Sequence, residues 1–397
     1  MALTKAMVDF LLEPQISPYE FSSQRVPALI HEKLWNGKRF VDTYIHISGL
    51  EKGPALGGCR IQRYERESEA RQNVRELSRG MWYKSALADL PYGGGKALLL
   101  ADAETEKNER LLGNFAALVN DLHGNYITAE DAGTNLEDMD FLFQHTKYVV
   151  GTSKFSGNPS PVTAFGVYKG LKACLKHAGL DSVKGLTFAI KGAGNVANYL
   201  VFGFPEDKKY DEFRTEFPGL IHLQPKVIYY HEKIGKRSDD FKAKARKLGL
   251  SSKLQRRSEE ELYEVPKEVF MPMALRHSAA GEYLQALAAS GCRIIAGSEN
   301  SQLKDEVKDM HLIQQNGIIY APDFAINAGG LMSVHFEKVA QDITGEYDAT
   351  APLRSAAGIE NTIAEILDQA KETRRNTLQI AKEFAERRAR KIRNRDC

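Results

Sequence analysis

Residues 186–197 decide the fold of this chain: they read LTFAIKGAGNVA, an apolar run that leads into glycines and then into a helical pattern. A strand, a glycine-rich turn and a helix in this order form the context of a dinucleotide-binding fingerprint. Gly192 permits the tight turn, Gly194 lets backbone amides approach a pyrophosphate, and Ala197 lets the helix pack closely on the sheet. A tight turn without a ligand is the alternative. The stretch predicts a nucleotide-binding α/β domain.

Short apolar runs continue after this stretch, and helical segments such as 239–248 separate them. This alternation predicts a mostly parallel, doubly wound sheet. The further predicted strands are 226–230, 269–273, 293–296 and 317–320. The connection 202–225 is long and polar for a simple crossover, so we interpret it as a surface insertion.

The turn-rich segment GTSKFSGNPSPVT, residues 151–163, separates this region from an earlier α/β pattern. Because 397 residues exceed what one hydrophobic core usually organises, we predict two domains. The first covers 1–152 and the second, Rossmann-like, covers 153–329. An amphipathic stripe follows in the segment 330–397, which either closes the second domain or, as we expect, returns to the first.

Strand-like runs at 39–48 and 96–101 and a helical stretch at 67–81 indicate the α/β character of the first domain. The formal net charge of +2 gives no reason to expect a nucleic acid or membrane partner. The N-terminal MALTKAMVDFLLEPQ lacks an export signal, and the four cysteines have no paired metal-ligand spacing. We expect a cytoplasmic protein with reduced thiols and no metal, and a basic C-terminal helix end at 387–395 that is solvated.

The strand KVIYY should end in an acidic residue that binds the adenosine ribose, but it ends at Tyr230 and is followed by His231 and Glu232. If Glu232 points into the site, NAD is favoured. If His231 takes that position, the basic residues that follow could accommodate the 2′-phosphate of NADP. Those basic residues are Lys233, Lys236 and Arg237.

Three segments of the first domain predict a catalytic cleft: GPALGGCR from Gly53, MWYKSALADLPYGGGK from Met81 and TAEDAGTN from Thr128. Their glycines indicate sharp turns or close approach to a ligand. Lys96 begins the apolar strand KALLL, where a buried lysine is costly unless it is paired or used. Two lysines in one cleft would lower each other's pKa, so one could act as a base, and a nearby carboxylate could carry protons. Removal of an α-amine as ammonia needs such a set.

Seven ordered motifs between Gly53 and Val334 resemble those of the Glu/Leu/Phe/Val dehydrogenases, in particular the leucine dehydrogenase branch. They are GPALGGCR, GMWYK with GGGK, TAEDAGTN, GNPSPVTAFGVY, KGAGNVA, AGSENSQL and YAPDFAINAGG. The resemblance implies an N-terminal substrate and oligomerisation domain, a homo-oligomer, and oxidative deamination of an amino acid to a 2-oxo acid and ammonia with NAD or NADP.

The resemblance also implies roles for single residues. Lys84 would bind the substrate carboxylate, Lys96 would activate water as general base, and Asp131 would pass a proton to or from the amine. The other implied substrate-binding residues are Gly57, Gly58, Leu56, Ala129, Asn327, Leu331 and Val334. The implied cofactor-binding residues are Gly192, Gly194, Asn195, Val196, Thr163, His231, Glu232, Ala274 and Asn300.

The apolar Leu56 and Val334 stand where glutamate-directed members have a lysine and a hydroxyl, which favours leucine, valine or isoleucine as substrate. Four residues on the cofactor side depart from the family pattern: Met273, Arg276, Glu299 and Ser301. Two alternatives therefore stay open. One is an NADP-dependent or aromatic amino-acid dehydrogenase of a biosynthetic pathway, and the other is a catalytically silent binding protein.

Overall fold

The structure is a computed structural model that describes residues 7–10, 28–50 and 52–393, with side chains from 28 to 390 apart from residue 51. The strands are β1 (Met7–Phe10), β2 (Ala28–Trp35), β3 (Phe40–Ile47), β4 (Ala55–Ile61), β5 (Gly93–Leu99), β6 (Tyr126–Glu130), β7 (Thr187–Lys191), β8 (Val227–His231), β9 (Leu254–Arg256), β10 (Val269–Pro272), β11 (Ile294–Ile295) and β12 (Ile319–Tyr320).

The helices alternate with these strands and then close the chain. They are α1 (Glu67–Leu87), α2 (Glu109–Asp121), α3 (Leu136–Phe143), α4 (Ser160–His177), α5 (Asn195–Phe202), α6 (Asp211–Arg214), α7 (Gly235–Lys247), α8 (Glu259–Glu264), α9 (Gly281–Ala289), α10 (Glu306–Gln315), α11 (Asp323–Ile326), α12 (Gly329–Val339), α13 (Ala351–Ala357), α14 (Ile359–Thr373) and α15 (Thr377–Arg393). In the described part of the chain, no helix is long and apolar enough to cross a membrane.

The chain forms two compact units. The first unit contains the described residues up to Asn158, then Val334–Tyr347 and the chain from Ala385; the second contains Pro159–Ser333 and Asp348–Phe384. This division begins the second unit at Pro159 rather than at 153. It also places most of the C-terminal helices in the second unit, because α14 packs its apolar stripe on α4, as the contact of Ile359 with Gly166 illustrates.

The first unit has a six-stranded mixed sheet in the order β1-β2-β3-β5-β4-β6. The neighbours β4, β5 and β6 run parallel, whereas β1, β2 and β3 pair antiparallel. Helix α1 lies on one face, where its Ala70 and Val74 pack against Tyr44 and Leu98. The larger core on the other face includes Phe115 of α2. A sheet covered by helices on both faces is the α/β architecture that the sequence predicted.

The second unit has a fully parallel sheet in the order β12-β11-β10-β7-β8-β9, with strand order reversing on the two sides of β7. The doubly wound prediction is therefore confirmed. Parallel sheets of this type bind ligands beyond the carboxyl ends of their strands, where the order reverses. The glycine turn 192–194 leaves β7 at that edge.

The segment 202–225 is not the surface insertion that the sequence predicted. Its aromatic residues are buried, and three of them, Phe204, Phe213 and Phe217, pack on Phe165 of α4. The buried aromatic side chains of the segment are Phe202, Phe204, Tyr210, Phe213 and Phe217. Length and polarity suggested a solvated loop, but aromatic burial outweighs polarity because each ring removes a large apolar area from water.

A fully buried carboxylate organises the turn that precedes the division between the units. Glu337 of α12 accepts hydrogen bonds from the backbone of Gly151 and Thr152 and from the hydroxyls of Thr152 and Ser156. A buried charge is tolerated only when it is hydrogen-bonded in this way. The sequence did not indicate Glu337, since its partners lie about 180 residues earlier in the chain.

Three of the four cysteines, Cys59, Cys174 and Cys292, are free and buried. Cys397 lies outside the described residues, as do most of the N-terminal segment 1–15 and the end of the basic segment 387–395. Within that segment Arg388 is not simply solvated, because its guanidinium donates to the backbone oxygen of Leu87.

Candidate active site and cofactor turn

Strand alternation brings the predicted substrate-side residues to one face of the first sheet. Leu56 of β4 lies opposite Gly94 of β5 and Ile127 of β6. Alternate residues of a strand share a face, so every second residue of β4, β5 and β6 lies on the same face as Leu56. Asp131 follows directly after β6 and continues its alternation. The residues brought together are Leu56, Gly58, Arg60, Lys96, Ala129 and Asp131.

Asp131 is the centre of this cluster. Its Oδ2 atom lies 2.6 Å from Nζ of Lys96 and 3.0 Å from Nε of Arg60. Burial alone would raise the pKa of the Asp131 carboxyl, but the two cations outweigh it and hold this pKa well below its usual range. Asp131 is therefore ionised at neutral pH.

Lys96 is almost completely buried, with 8% of its side chain exposed. A lysine buried to this extent needs a partner, and Asp131 supplies it. Arg60 provides a second positive charge, which also lowers the pKa of Asp131. Sequence reasoning missed Arg60, although it ends the quoted motif GPALGGCR.

The turn after β6 fixes Asp131 against β4. The Asp131 amide donates to Oγ1 of Thr134, and this hydroxyl lies 3.1 Å from the backbone oxygen of Cys59. Gly133 has φ +84°, and a Cβ atom there would lie 2.1 Å from the backbone oxygen of Ile61. Any side chain at Gly133 would push the turn, and Asp131 with it, away from the sheet.

Gly57 and Gly58 of the GPALGGCR motif and the three glycines of the GGGK motif lie inside strands, and close approach rather than turning explains them. A Cβ atom at Gly57 would lie 1.8 Å from the backbone oxygen of Gly95, and one at Gly94 would lie 2.2 Å from that of Ser78 on α1. Strand β5 therefore begins at Gly93 rather than at Lys96. The absence of side chains lets α1 pack closely on the sheet.

Lys84 lies in the last turn of α1, is half-buried, and belongs to the helix that covers the face of Lys96. His46 pairs with Lys96 across β3 and β5, so both side chains leave the same face. Burial, and then the charges of Arg75 and Arg79, lower the pKa of His46 to about 4. His46 is therefore a neutral neighbour of the cluster, and sequence reasoning did not select it.

In the second unit the glycine turn has the predicted strand–turn–helix geometry. Gly192 has φ +102°, and a Cβ atom there would lie 2.7 Å from the backbone oxygen of Met273. At Gly194 a Cβ atom would meet nothing within 4 Å, which leaves space above the start of α5. No side chain caps this helix. Asn195 and Val196 form its first turn, so its amide groups could receive a pyrophosphate.

Glu232, rather than His231, faces the glycine turn. Its carboxylate accepts hydrogen bonds from the amides of Ala193, at 2.8 Å, and Ile234, at 2.9 Å. The imidazole of His231 instead contacts the backbone oxygen of Arg257, through Nδ1 at 3.2 Å. Of the two arrangements that the sequence left open, the structure has the one with the acidic residue at the turn.

Asn300, predicted to bind the cofactor, is hydrogen-bonded to Asn327, predicted to contact the substrate. The side-chain amide of Asn327 donates to Oδ1 of Asn300 at 2.8 Å and to the backbone oxygen of Ser298 at 3.0 Å. Its own Oδ1 is buried and has no hydrogen-bond partner within the described residues. A buried acceptor of this kind fits the N–H group of a ligand. Thr163 is 9% exposed and lies beside Gly330.

The structure thus places the predicted residues in two sets. The substrate-side set of the first unit contains Lys84, Lys96, Asp131 and the residues around Leu56, together with Val334. The cofactor-side set of the second unit also contains Asn327 and Leu331, two residues expected to contact substrate. The four apolar substrate-lining candidates, Leu56, Ala129, Leu331 and Val334, are all buried. The cofactor-side features fit a dinucleotide: an open helix N-terminus, a close glycine turn and an unpaired acceptor.

Family models match most of the chain. The profile of the Glu/Leu/Phe/Val dehydrogenase dimerisation domain matches residues 31–148, and that of the Glutamate/Leucine/Phenylalanine/Valine dehydrogenases matches residues 157–394. The leucine dehydrogenase of Bacillus subtilis (strain 168) is 38% identical over 328 residues, covering 82% of this chain and 81% of the relative. The L-tryptophan dehydrogenase of Nostoc punctiforme is 32% identical over 347 residues, covering 87% and 89%.

Solved structures extend this similarity to the backbone. The crystal structure of L-tryptophan dehydrogenase from Nostoc punctiforme superposes with a TM-score of 0.69 at 28% identity, covering 89% of this chain and 94% of that one. Hetero-hexameric glutamate dehydrogenase from Thermus thermophilus superposes with a TM-score of 0.71 at 18% identity, covering 92% and 88%, which shows the shared fold. The chain therefore belongs to the Glu/Leu/Phe/Val dehydrogenase family and is an amino-acid dehydrogenase acting on CH–NH2 groups with a nicotinamide cofactor.

Proposed function

We propose that the chain catalyses the reversible NAD-dependent oxidative deamination of a branched-chain L-amino acid, such as leucine, valine or isoleucine. The observation that carries the substrate proposal is the buried apolar Leu56, which shares a sheet face with Lys96. At Leu56 a second carboxylate on the substrate would meet an apolar side chain instead of a cation, whereas an aliphatic side chain would find apolar surface. Ala129 and Val334, in the same unit, are also buried and apolar.

In the proposed reaction the cationic Lys84 binds the substrate carboxylate and orients the α-carbon. The nicotinamide group, when bound, accepts a hydride from that carbon. Lys96 removes a proton from water, which adds to the resulting imine carbon, and Asp131 receives or returns the proton of the amine nitrogen. Collapse of the carbinolamine then releases ammonia and leaves the 2-oxo acid. Arg60 keeps Asp131 ionised for this transfer.

The proposal of NAD rather than NADP rests on Glu232. Its buried carboxylate is held at the glycine turn by two backbone amides. A carboxylate in this position can bind the ribose hydroxyls of NAD, and it repels the 2′-phosphate of NADP. The residues proposed to hold the cofactor include this glutamate and the first turn of α5.

Initial rates with NAD and NADP across a panel of amino acids test the whole proposal. We expect the highest kcat/KM with leucine, valine or isoleucine and NAD. The panel must include tryptophan and phenylalanine, because a relative with 32% identity is a tryptophan dehydrogenase. Activity confined to those two substrates would overturn the branched-chain proposal. A fluorescence titration with NADH separates an inactive preparation from a silent protein, which would not bind at millimolar cofactor.

We also propose that the chain forms a homo-oligomer. The support is the match of residues 31–148 to a dimerisation domain. Light scattering after size-exclusion chromatography would measure the molar mass, and a value of about 44 kDa, that of a single chain, would contradict the proposal.

A further inference from the structure

The loop 273–278, which joins β10 to α9, is held by a buried side chain that the proposed reaction does not use. Glu299 is 2% exposed and follows β11 by four residues. Its Oε2 atom accepts hydrogen bonds from the amide of Ala274, at 3.1 Å, and the hydroxyl of Ser278, at 2.6 Å. Its Oε1 atom accepts from the amide of Ser278, at 2.8 Å. One carboxylate therefore joins both ends of the loop.

The bonding pattern requires a carboxylate. The amides of Ala274 and Ser278 donate to different oxygens of Glu299, and a backbone amide cannot accept in exchange. A glutamine offers one oxygen and one NH2 group, so it would leave one of the two amides facing a donor. Burial raises the pKa of Glu299, whereas the hydrogen bonds from Ser278 favour its ionised form.

The loop held by Glu299 lies against the glycine turn. The Met273 amide donates to the backbone oxygen of Lys191 at 2.9 Å, and the Met273 oxygen limits the space at Gly192. The three residues that follow, Ala274, Leu275 and Arg276, are exposed, and Leu275 exposes 83% of its surface. An exposed loop segment that carries the apolar Leu275 beside an open helix N-terminus is placed to cover a ligand.

A second set of hydrogen bonds connects the same loop to strand β7. The ammonium of Lys191, the last residue of β7, donates to the hydroxyl of Tyr263 at 2.9 Å and pairs with Glu259 at 2.8 Å. The Tyr263 hydroxyl donates in turn to the backbone oxygen of Ser278 at 2.9 Å. The strand that carries the glycine turn and the far end of the loop are thus connected through buried polar groups.

We propose that Glu299 is a positioning residue that sets the affinity for the nicotinamide cofactor by holding the loop 273–278 against the glycine turn. The proposal rests on the assignment of that turn as the cofactor site. It also gives a structural role to one departure from the family sequence pattern, because Glu299 contacts the loop that carries two other departures, Met273 and Arg276.

The test compares Glu299→Gln with the wild-type protein and with Glu268→Gln as a matched control. Glu268 is a carboxylate of the same unit that accepts the Thr187 amide at 2.7 Å, at the opposite end of β7 from the glycine turn. The measurements are the dissociation constant of NADH by fluorescence titration, the KM values of NAD and of the amino acid, kcat at saturation, and the thermal midpoint.

For Glu299→Gln we expect NADH binding and the KM of NAD to weaken about tenfold, while the KM of the amino acid and kcat change less than about twofold. The control should keep the cofactor affinity of the wild type. Unchanged NADH binding in Glu299→Gln, or an equal loss in Glu268→Gln, would overturn the proposal. Failure of the wild-type protein to bind NADH would instead contradict the assignment of the cofactor site.

Discussion

The two units use buried carboxylates in opposite ways. In the first unit Asp131 faces two side-chain cations, Lys96 and Arg60. In the second unit Glu232 and Glu299 face backbone amides instead. Side-chain cations set the charge state of a carboxylate, whereas backbone amides that donate to a carboxylate fix a loop. In the proposed mechanism the charge of Asp131 therefore serves proton transfer, whereas the carboxylates of the second unit shape the cofactor turn and its neighbouring loop.

The strongest test of this comparison is Lys96→Ala. If Lys96 is the base, turnover should fall by about a thousandfold or more, in the range of general acid–base catalysis. NADH binding should stay near that of the wild type, because the substitution lies in the other unit. Initial rates and fluorescence titration measure the two effects. Lys107→Ala is a matched control, since Lys107 also pairs with an aspartate, Asp138, at 2.6 Å. Turnover retained in Lys96→Ala would refute the mechanism.

Arg60→Gln tests whether a cation keeps Asp131 ionised. Loss of the guanidinium should raise the pKa of Asp131, since Arg60 is one of the two charges that lower it. We expect kcat to fall by about a hundredfold and the acid limb of the pH–rate profile to move to higher pH. Arg60→Lys should recover part of the loss. Arg63→Gln is the control, because Arg63 is mostly exposed and pairs with Glu106. An unshifted acid limb would show that Arg60 only supports the fold.

Glu232→Ser tests the second unit. Removal of the carboxylate should lower the KM of NADP by about tenfold, because the repulsion of the 2′-phosphate is lost. The KM of NAD should rise, and kcat with saturating NAD should stay close to the wild-type value. Initial rates with the two cofactors give all of these constants. If the preference between NAD and NADP does not change, Glu232 does not select the cofactor.

The smallest expected effect is on stability in acid. The pKa of Asp131 lies below its ordinary value of 3.8 in the folded protein. Its ion pairs therefore stabilise the fold fully at neutral pH and progressively less as pH falls through and below that ordinary value. Urea unfolding of the wild type and of Asp131→Asn at pH 6, 5 and 4 measures this. The wild type should lose unfolding free energy more steeply over the lowest step. Parallel slopes would contradict the ion-pair account.

Much of this architecture could be predicted from short-range patterns. The strand into Gly192, the parallel second sheet and the stripe of α14 follow from local periodicity, which is why the fold class is confirmed. The pairing of Lys96 with Asp131 followed from recognised motifs. Arg60 was missed because its partner lies 71 residues further along the chain, and only the register of β4 with β6 brings the two together.

The cofactor side was harder to predict because its organising residues act through the backbone. Glu299 accepts hydrogen bonds from the backbone of a loop whose sequence departs from the family pattern. Hydrophobic periodicity in the sequence does not predict such a contact. The sequence could not choose between His231 and Glu232, since adjacent residues at a strand end point in opposite directions. The buried aromatic residues of 202–225 were overlooked because the prediction weighed length and polarity and gave no weight to the spacing of Phe213 and Phe217.

Shortening the segment 202–225 to a simple crossover would remove part of a hydrophobic core. Phe217 is fully buried against Phe165 and Tyr168, so the segment gives α4 a second hydrophobic layer in addition to the one formed by α14. Trimming would uncover aromatic surface on a helix whose first turn carries Thr163. The segment is thus a small accessory core, and a truncated chain would need polar residues in place of Phe165 and Tyr168 to remain soluble.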